Sequence, residues 1–196
     1  MSISMKIAAG FSLTAQTPVT AGVEDLIYLY NEEDFTETYD PANPLLITGL
    51  TAAGSGKLYK YYGTNNSFNT TSKMVKTQVG PRYTEVIDFN IAGHTSALKL
   101  QMQQLGYGRV KAIVINNYKD GDSAVELFGA VNGLTLTDSE RNAADENLEG
   151  GYKVQLGNPQ KLREPYPPRV VSIAPQSGTA TYASTKAALD ALVATP

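Results

Sequence analysis

The amino-acid sequence predicts a mainly β protein of the α+β class, a β-sandwich or half-barrel of about nine or ten short strands. Segments that alternate between apolar and polar residues recur along the chain and are separated by Gly and Pro, as is typical of strands and turns. Helical spacing of apolar residues indicates only one flanking helix and a short C-terminal helix. A length of 196 residues fits one domain, so we assign 1–178 to a single β-rich domain and 179–196 to a C-terminal arm.

The first part of the chain contains three candidate strands. Residues 3–14 alternate between apolar and polar positions, and 25–31 are rich in aromatic and β-branched residues. A short apolar run at 45–50 is the third candidate. The Gly- and Ser-rich residues 51–57 then indicate a loop.

The centre of the chain is also rich in strand patterns. Residues 57–63 and 72–79 flank a polar stretch that fits either a hairpin tip or an open loop. In 82–93 one set of alternate positions is largely apolar, namely Tyr83, Glu85, Ile87, Phe89 and Ile91. This pattern predicts a half-buried antiparallel strand.

Two segments have the signals of helices. Thr95 or Ser96 can cap a helix that Gly106 closes, because apolar residues recur at helical spacing between them. Residues 184–194 predict the second helix, with Ser184 as its N-cap and its apolar side chains on one face.

The remaining strands lie in the second half of the chain. Residues 109–117 predict a strand, and the Asp-Gly pair at 120–121 predicts a hairpin turn to a returning strand. Short strands are expected at 133–137 and 152–156, with an acidic polar loop between them. The Pro-rich residues 164–178 are expected to be extended.

The composition excludes several kinds of site. The chain has no Cys, so disulfides, thiolate metal sites and cysteine nucleophiles are excluded. It has one His and no Trp. Apolar residues make up 42% of the chain, which indicates a folded globular protein, and no apolar run approaches the roughly 18 residues that a membrane helix needs.

The formal net charge of −3 conceals opposite charges in successive blocks. Seven acids and no base lie between Lys6 and Lys57, whereas 57–119 carries +7, 120–149 carries −7, and the last block carries +3. Such blocks form patches that pair within the monomer, or they lie on different faces and pair between copies. A solvated surface without a partner is the third interpretation.

No segment has a convincing motif for catalysis, a cofactor or a metal. In 49–58 the phosphate-loop pattern fails, because Thr51 and Leu58 stand where it needs Gly and Ser or Thr. The lone His94 precedes a helix, which favours a surface role. An acid/base pair is conceivable in the acidic loop, but a solvated loop is the better interpretation of its carboxylates, Asp138, Glu140, Asp145, Glu146 and Glu149. We therefore expect no catalytic, cofactor-binding or metal-binding residues, and no enzymatic activity.

Four segments carry turn and packing residues in a suggestive order. They are 21–31 (AGVEDLIYLYN), 126–137 (ELFGAVNGLTLT), 145–158 (DENLEGGYKVQLGN) and 166–171 (YPPRVV). In these segments the chain resembles structural proteins of phages and prophages of Bacteroidetes, in particular their tail tube (major tail) proteins. The resemblance covers about residues 20–172.

The resemblance implies a β-sandwich or half-barrel subunit, arranged in six-fold rings that stack head to tail into a hollow tube. Such a protein is made in the bacterial host cytoplasm and resides in the tail of the virion. Its partners are further copies of itself, other tail proteins, and viral DNA passing through the lumen, with no cofactor and no membrane. The lumen in such families tends to be acidic, so DNA slides through it without sequence-specific binding, because tight binding needs Lys or Arg on the phosphates.

The charge blocks suggest which surfaces meet in such a stack. A head-to-tail contact joins two different complementary surfaces. We predict an inter-subunit contact with Glu32, Glu33 and Asp34 on one side, and on the other side Lys73, Lys76 and Arg82.

Two alternative functions remain open from the sequence. A tail terminator or neck protein would form one closed ring of the virion and never elongate. A carbohydrate-binding β-sandwich is the other, but it would usually need Trp and a signal peptide. The chain has no Trp, and its first residues make a poor signal peptide.

Overall fold

A computed structural model describes residues 21–63, 67–119, 124–160, 162–175 and 178–194. These residues form eleven strands, two α-helices and one short 3-10 helix. In chain order the strands are β1 Val23–Asn31, β2 Phe35–Tyr39, β3 Leu46–Ala52, β4 Tyr59–Tyr62, β5 Asn69–Thr77, β6 Gly80–Ile91, β7 Val110–Asn116, β8 Val125–Phe128, β9 Thr135–Arg141, β10 Tyr152–Gly157 and β11 Arg169–Val171. The helices are α1 Ser96–Tyr107, the 3-10 helix Glu146–Leu148 and α2 Tyr182–Ala191. The mainly β, α+β class is confirmed.

The strands form two sheets. The larger sheet has seven strands in the order β2-β3-β11-β8-β7-β1-β4, and the smaller has four in the order β5-β6-β10-β9. Paired strands are antiparallel except β3 and β11, which run parallel. Core residues of both sheets share one apolar cluster, so the architecture is sandwich-like.

Strands β1 and β7 are buried on both faces. Ile27 and Leu29 of β1 pack in a cluster with β6, β10 and α1. The alternate residues Tyr28 and Tyr30 pack in a second cluster, which includes Phe35 of β2 and residues of β3 and α2. The antiparallel β1–β7 ladder is therefore the middle layer of the fold.

Both predicted helices are present, but their ends differ from the predictions. Thr95 caps α1, because its side-chain oxygen accepts a hydrogen bond from the Leu98 N–H at 3.2 Å. The helix ends at Tyr107 with Gly108 as its C-cap, so Gly106 lies inside the helix and its prediction as the closing residue was wrong.

Helix α2 begins before the predicted cap. Its N-cap is Thr181, whose side chain accepts from the Ser184 N–H at 3.1 Å. The Ser184 hydroxyl accepts in return from the Thr181 N–H at 2.9 Å. Ser184 is therefore the third helical residue of a capping box, and its prediction as the N-cap was wrong.

The strand predictions had three different outcomes. The predicted strands on either side of the polar stretch do not form a hairpin, because β4 pairs with β1 while β5 belongs to the other sheet. Strand β2 was missed, since only Phe35 of its five residues is buried. The predicted strand at 3–14 and the turn at 120–121 lie outside the described residues, although β7 and β8 do pair antiparallel.

The described part of segment 179–196 packs on its own chain. Leu189 of α2 is fully buried in the second cluster. Asp190 accepts hydrogen bonds from the Tyr28 hydroxyl and Lys60 Nζ, both at 2.7 Å, and from Lys186 Nζ at 3.3 Å. Burial opposes ionisation of Asp190, but these bonds outweigh it and hold the pKa of that carboxyl below its usual value.

We expect Leu189→Ala to lower the free energy of unfolding by about 2–5 kcal/mol, because it leaves a cavity under α2. The matched control is Leu100→Ala in α1, where the leucine is 57% exposed and the expected loss is below about 0.5 kcal/mol. Urea denaturation followed by circular dichroism measures both. Equal losses would mean that α2 is not part of the core.

Candidate functional site

The hairpin of β5 and β6 presents an exposed edge. Strand β5 pairs with β6 on one side and is the edge strand of the four-stranded sheet. Most of its residues are exposed, and Met74 and Val79 expose 59% and 78% of their surface. Gly80, the first residue of β6 after the turn at 78–79, has a φ of +116°, a conformation that favours glycine. Among the described residues no strand pairs with the other side of β5, so this side of the hairpin offers backbone groups and apolar side chains to a partner.

The three predicted basic residues lie on this hairpin, but on two faces. Lys73 pairs across the ladder with Thr84, and Arg82 pairs with Val75. Because side chains alternate along a strand, both lie on the outer face of the sheet, which points away from the apolar core. Lys76, opposite Pro81, lies on the inner face, the same face as the buried residues of β6. Within the described residues none of the three forms an ion pair.

The three predicted acidic residues lie in the turn between β1 and β2. The Asp34 N–H donates to the Asn31 carbonyl at 3.0 Å, and Asn31 Nδ2 donates to Asp34 Oδ2 at 2.7 Å. Glu33 is exposed, and Glu32 is half-buried. In the described part of the chain, no ion pair involves these three carboxylates.

Both charged groups lie at the same end of the domain. Tyr83, which pairs with Met74 near the tip of the hairpin, exchanges two backbone hydrogen bonds of 2.9 Å with Glu164. Glu164 in turn accepts from the Asn132 N–H at 2.8 Å. A Cβ placed on the adjacent Gly133 would lie 3.6 Å from Glu32 Oε2. The structure brings the two groups to one end but joins them by no ion pair among the described residues.

Other charges of the same blocks do pair within the monomer. Lys111 and Glu37 form an almost fully buried ion pair of 2.7 Å, and the Tyr30 hydroxyl donates to the same Glu37 oxygen at 2.9 Å. Lys119 also pairs with Glu24. Some charges of the opposite blocks therefore pair within one chain. The charged residues of the hairpin and of the β1–β2 turn form no such ion pair among the described residues.

The opposite edge of the four-stranded sheet is acidic. In the part of the chain that the structure describes, β9 pairs with β10 alone, and its last five residues are exposed. Asp138 and Glu140 lie on the outer face, because they pair across the ladder with Gln155 and Lys153. The outer face of this sheet is therefore basic at its β5 edge and acidic at its β9 edge. The one base of β9, Arg141, lies on the inner face and donates from Nε to the Gly150 carbonyl at 2.9 Å.

A polar groove of about 290 Å³ is lined mainly by residues of β6, β10 and β9. Gln155 Nε2 donates to Asp88 Oδ1 at 2.8 Å across the strands. Lys153 pairs with Asp145 at 3.4 Å. The carboxylates of the acidic loop are thus divided: Asp138 and Glu140 line the groove, whereas Glu146 belongs to the 3-10 helix and Glu149 to the turn after it.

A cluster of buried carboxyls was not predicted. Glu85 and Glu164 are each 1% exposed, and Glu85 Oε2 accepts from the Gly129 N–H at 2.7 Å. Burial raises the pKa of Glu85 to about 8, although that hydrogen bond favours the charged form. The sequence did contain a signal, because Glu85 falls in the apolar set of alternate positions in its strand.

Among the described residues, no three His, Asp or Glu side chains converge as a metal-binding group would require. The helices of that part of the chain are too short or too polar to cross a membrane. The chain matches no family model, and no curated protein and no solved structure is significantly similar to it.

We expect the free energy of unfolding to fall as the pH rises from about 4.5 to about 8. In the unfolded chain Glu85 loses its proton near its usual pKa, whereas in the folded protein it keeps the proton up to about pH 8. Between these two values, ionisation stabilises the unfolded state relative to the folded state. The effect is roughly 1.4 kcal/mol per unit of pKa difference. Urea denaturation at several pH values should show a shallower fall for Glu85→Gln than for the wild type.

The matched control for this prediction is Glu33→Gln, which changes an exposed glutamate. It should retain the pH dependence of the wild type. Identical pH dependence in Glu85→Gln and the wild type would contradict the assignment.

Proposed function

We propose that the chain is a structural, non-enzymatic virion protein that assembles into stacked rings and forms a phage tail tube, a conduit for DNA during ejection. The observation that carries the proposal is the pair of edges of one four-stranded sheet, which are oppositely charged on its outer face and carry no further strand among the described residues. The resemblance of four segments to tail tube proteins supports the same function. Its partners would be copies of itself, other tail proteins and passing DNA.

The two edges suit a head-to-tail contact between copies. Natural proteins usually protect long exposed edge strands, since these pair readily with other chains. When β5 of one copy pairs with β9 of the next, two different surfaces meet, and a contact of this kind closes into a ring or continues as a filament. Lys73 on one edge and Asp138 and Glu140 on the other share the outer face, so such pairing brings opposite charges together.

The acidic turn is the second possible partner of the basic hairpin. Glu32, Glu33 and Asp34 have no ion pair within the described residues, which leaves their charges for another copy. The two possible contacts differ in geometry. The edge contact continues a sheet, whereas the turn contact places the hairpin over the end of a neighbour.

We expect Lys73→Glu to raise the concentration needed for assembly at least about tenfold at low salt, because like charges then meet across the contact. The matched control is Lys76→Glu, which changes the same charge on the other face of the same strand and should have a smaller effect. Negative-stain electron microscopy and sedimentation measure assembly. Tubes that form unchanged with Lys73→Glu would contradict the edge contact.

Charge exchange identifies the partner of Lys73. Adding Asp138→Lys and Glu140→Lys to the Lys73→Glu chain should restore assembly, because the two edges are again complementary. Restoration only by Glu32→Lys and Glu33→Lys would instead identify the β1–β2 turn. For the wild type, long tubes are the expected result, single closed rings would indicate a terminator or neck protein, and persistent monomers would contradict the proposed function.

A further inference from the structure

The ladders within the four-stranded sheet fix the heights of its two edge strands relative to each other. Asp138 of β9 pairs with Gln155 of β10, which pairs with Asp88 of β6. Asp88 pairs in turn with Asn69 of β5, so Asp138 at one edge is level with Asn69 at the other. Lys73 lies four residues further along β5, or about 13 Å at roughly 3.3 Å per residue. Two copies at the same height would therefore keep Lys73 and Asp138 apart.

The strand directions and faces restrict how the next copy can be displaced. Neighbouring strands in the order β5-β6-β10-β9 are all antiparallel, so β5 and β9 run in opposite directions. Copies that point the same way therefore pair these two edges antiparallel. Residues directly opposite each other in such a pair share a face. Only a shift by an even number of residues then keeps Lys73 on the same face as Asp138 and Glu140.

A shift of four residues places Lys73 opposite Asp138 of the next copy. Glu140 is then opposite Thr71, which is diagonal to Lys73 on the same face. A diagonal neighbour is within reach of a long side chain. Both carboxylates on the outer face of β9 therefore lie near the ammonium group of Lys73.

The same shift matches two apolar residues on the inner face. Leu136 lies on that face, because it is level with the buried Ile87 across the ladders. Asp138 lies on the outer face only two residues away, since the ladder of β9 with β10 is irregular between these two positions. With Lys73 opposite Asp138, the next inner-face residues of the two strands are Met74 and Leu136.

This match covers an exposed apolar side chain. Met74 is 59% exposed in the single chain, whereas Leu136 packs against the core cluster that the two sheets share. Pairing Met74 with Leu136 removes apolar surface from water. Shifts of two or six residues would instead place Ser72 or Lys76 against Leu136. The shift of four residues is therefore the one that matches both faces.

We propose that β5 of one copy pairs antiparallel with β9 of the next with a shift of four residues. Lys73 then lies opposite Asp138 on the outer face, and Met74 lies opposite Leu136 on the inner face. This register rests on the proposed function, because it specifies the contact between assembled copies.

The shift also gives the strand tilt that a closed ring of strands requires. It displaces the next copy by about 13 Å along the strands, whereas the four strands of one copy span about 19 Å across the sheet. The strands are then tilted by about 35° from the axis of the ring, at the edge of the range of roughly 35–45° found in closed barrels. Pairing without a shift would leave the strands parallel to the axis.

Cross-linking through introduced cysteines tests the register, because the chain has no Cys of its own. Ser72→Cys and Ser139→Cys in one full-length chain place two thiols opposite each other across the proposed contact. Opposite residues of an antiparallel pair are close enough for a disulfide. Within one chain the two positions are three strand spacings or about 14 Å apart, so a disulfide must join two copies. Copper-phenanthroline oxidation of the assembled protein should give covalent oligomers on a non-reducing gel.

The matched controls combine Ser139→Cys with Thr70→Cys or with Met74→Cys. These pairs face each other only if the shift is two or six residues, so we expect their chains to remain monomeric on the gel. Negative-stain microscopy of the reduced protein shows whether the copies are assembled. Rings or tubes that cross-link through a control pair, or through none of the pairs, would overturn the register and leave the proposed function standing. Persistent monomers would contradict both.

Discussion

Burial of the β1–β7 ladder on both faces is the constraint on which the rest of the structure depends. A strand places successive side chains on opposite faces, so a ladder in the middle layer needs an apolar cover on each side. The four-stranded sheet and α1 supply one cover. Strands β2 and β3, together with α2, supply the other. Removing either cover would expose one complete face of the ladder to water.

This middle layer also determines where charge can lie. Ionised groups are costly in either cluster, so they remain at strand edges, at the ends of the sheets, or in pairs. Lys111 and Glu37 are paired and nearly buried. Lys73 and the acids of β9 instead lie at the two edges of the smaller sheet, on the face that points away from the ladder. Glu85 and Glu164 are the exceptions, and backbone donors of the 129–133 turn compensate them.

The candidate contact was partly predictable. Charge segregation along the chain singled out the hairpin and the β1–β2 turn, because blocks of one sign are visible in the sequence alone. Charge segregation did not show which of Lys73 and Lys76 lies on the outer face, since that depends on the register of β5 against the neighbouring strand. Asp138 and Glu140 were interpreted as part of a solvated acidic loop, because nothing local shows that β9 continues through them to Arg141 and forms the opposite edge of the sheet that β5 begins.

The sequence by itself determined the mainly β class, the helical segments and the alternating burial of β6, because these follow from local periodicity and capping chemistry. Only the tertiary structure decided that β4 and β5 belong to different sheets and that α2 covers the second cluster. It also decided that Glu85 is buried beside Glu164. These features depend on pairings between segments far apart in the chain, and their energy comes from burial and hydrogen bonds that no local pattern encodes.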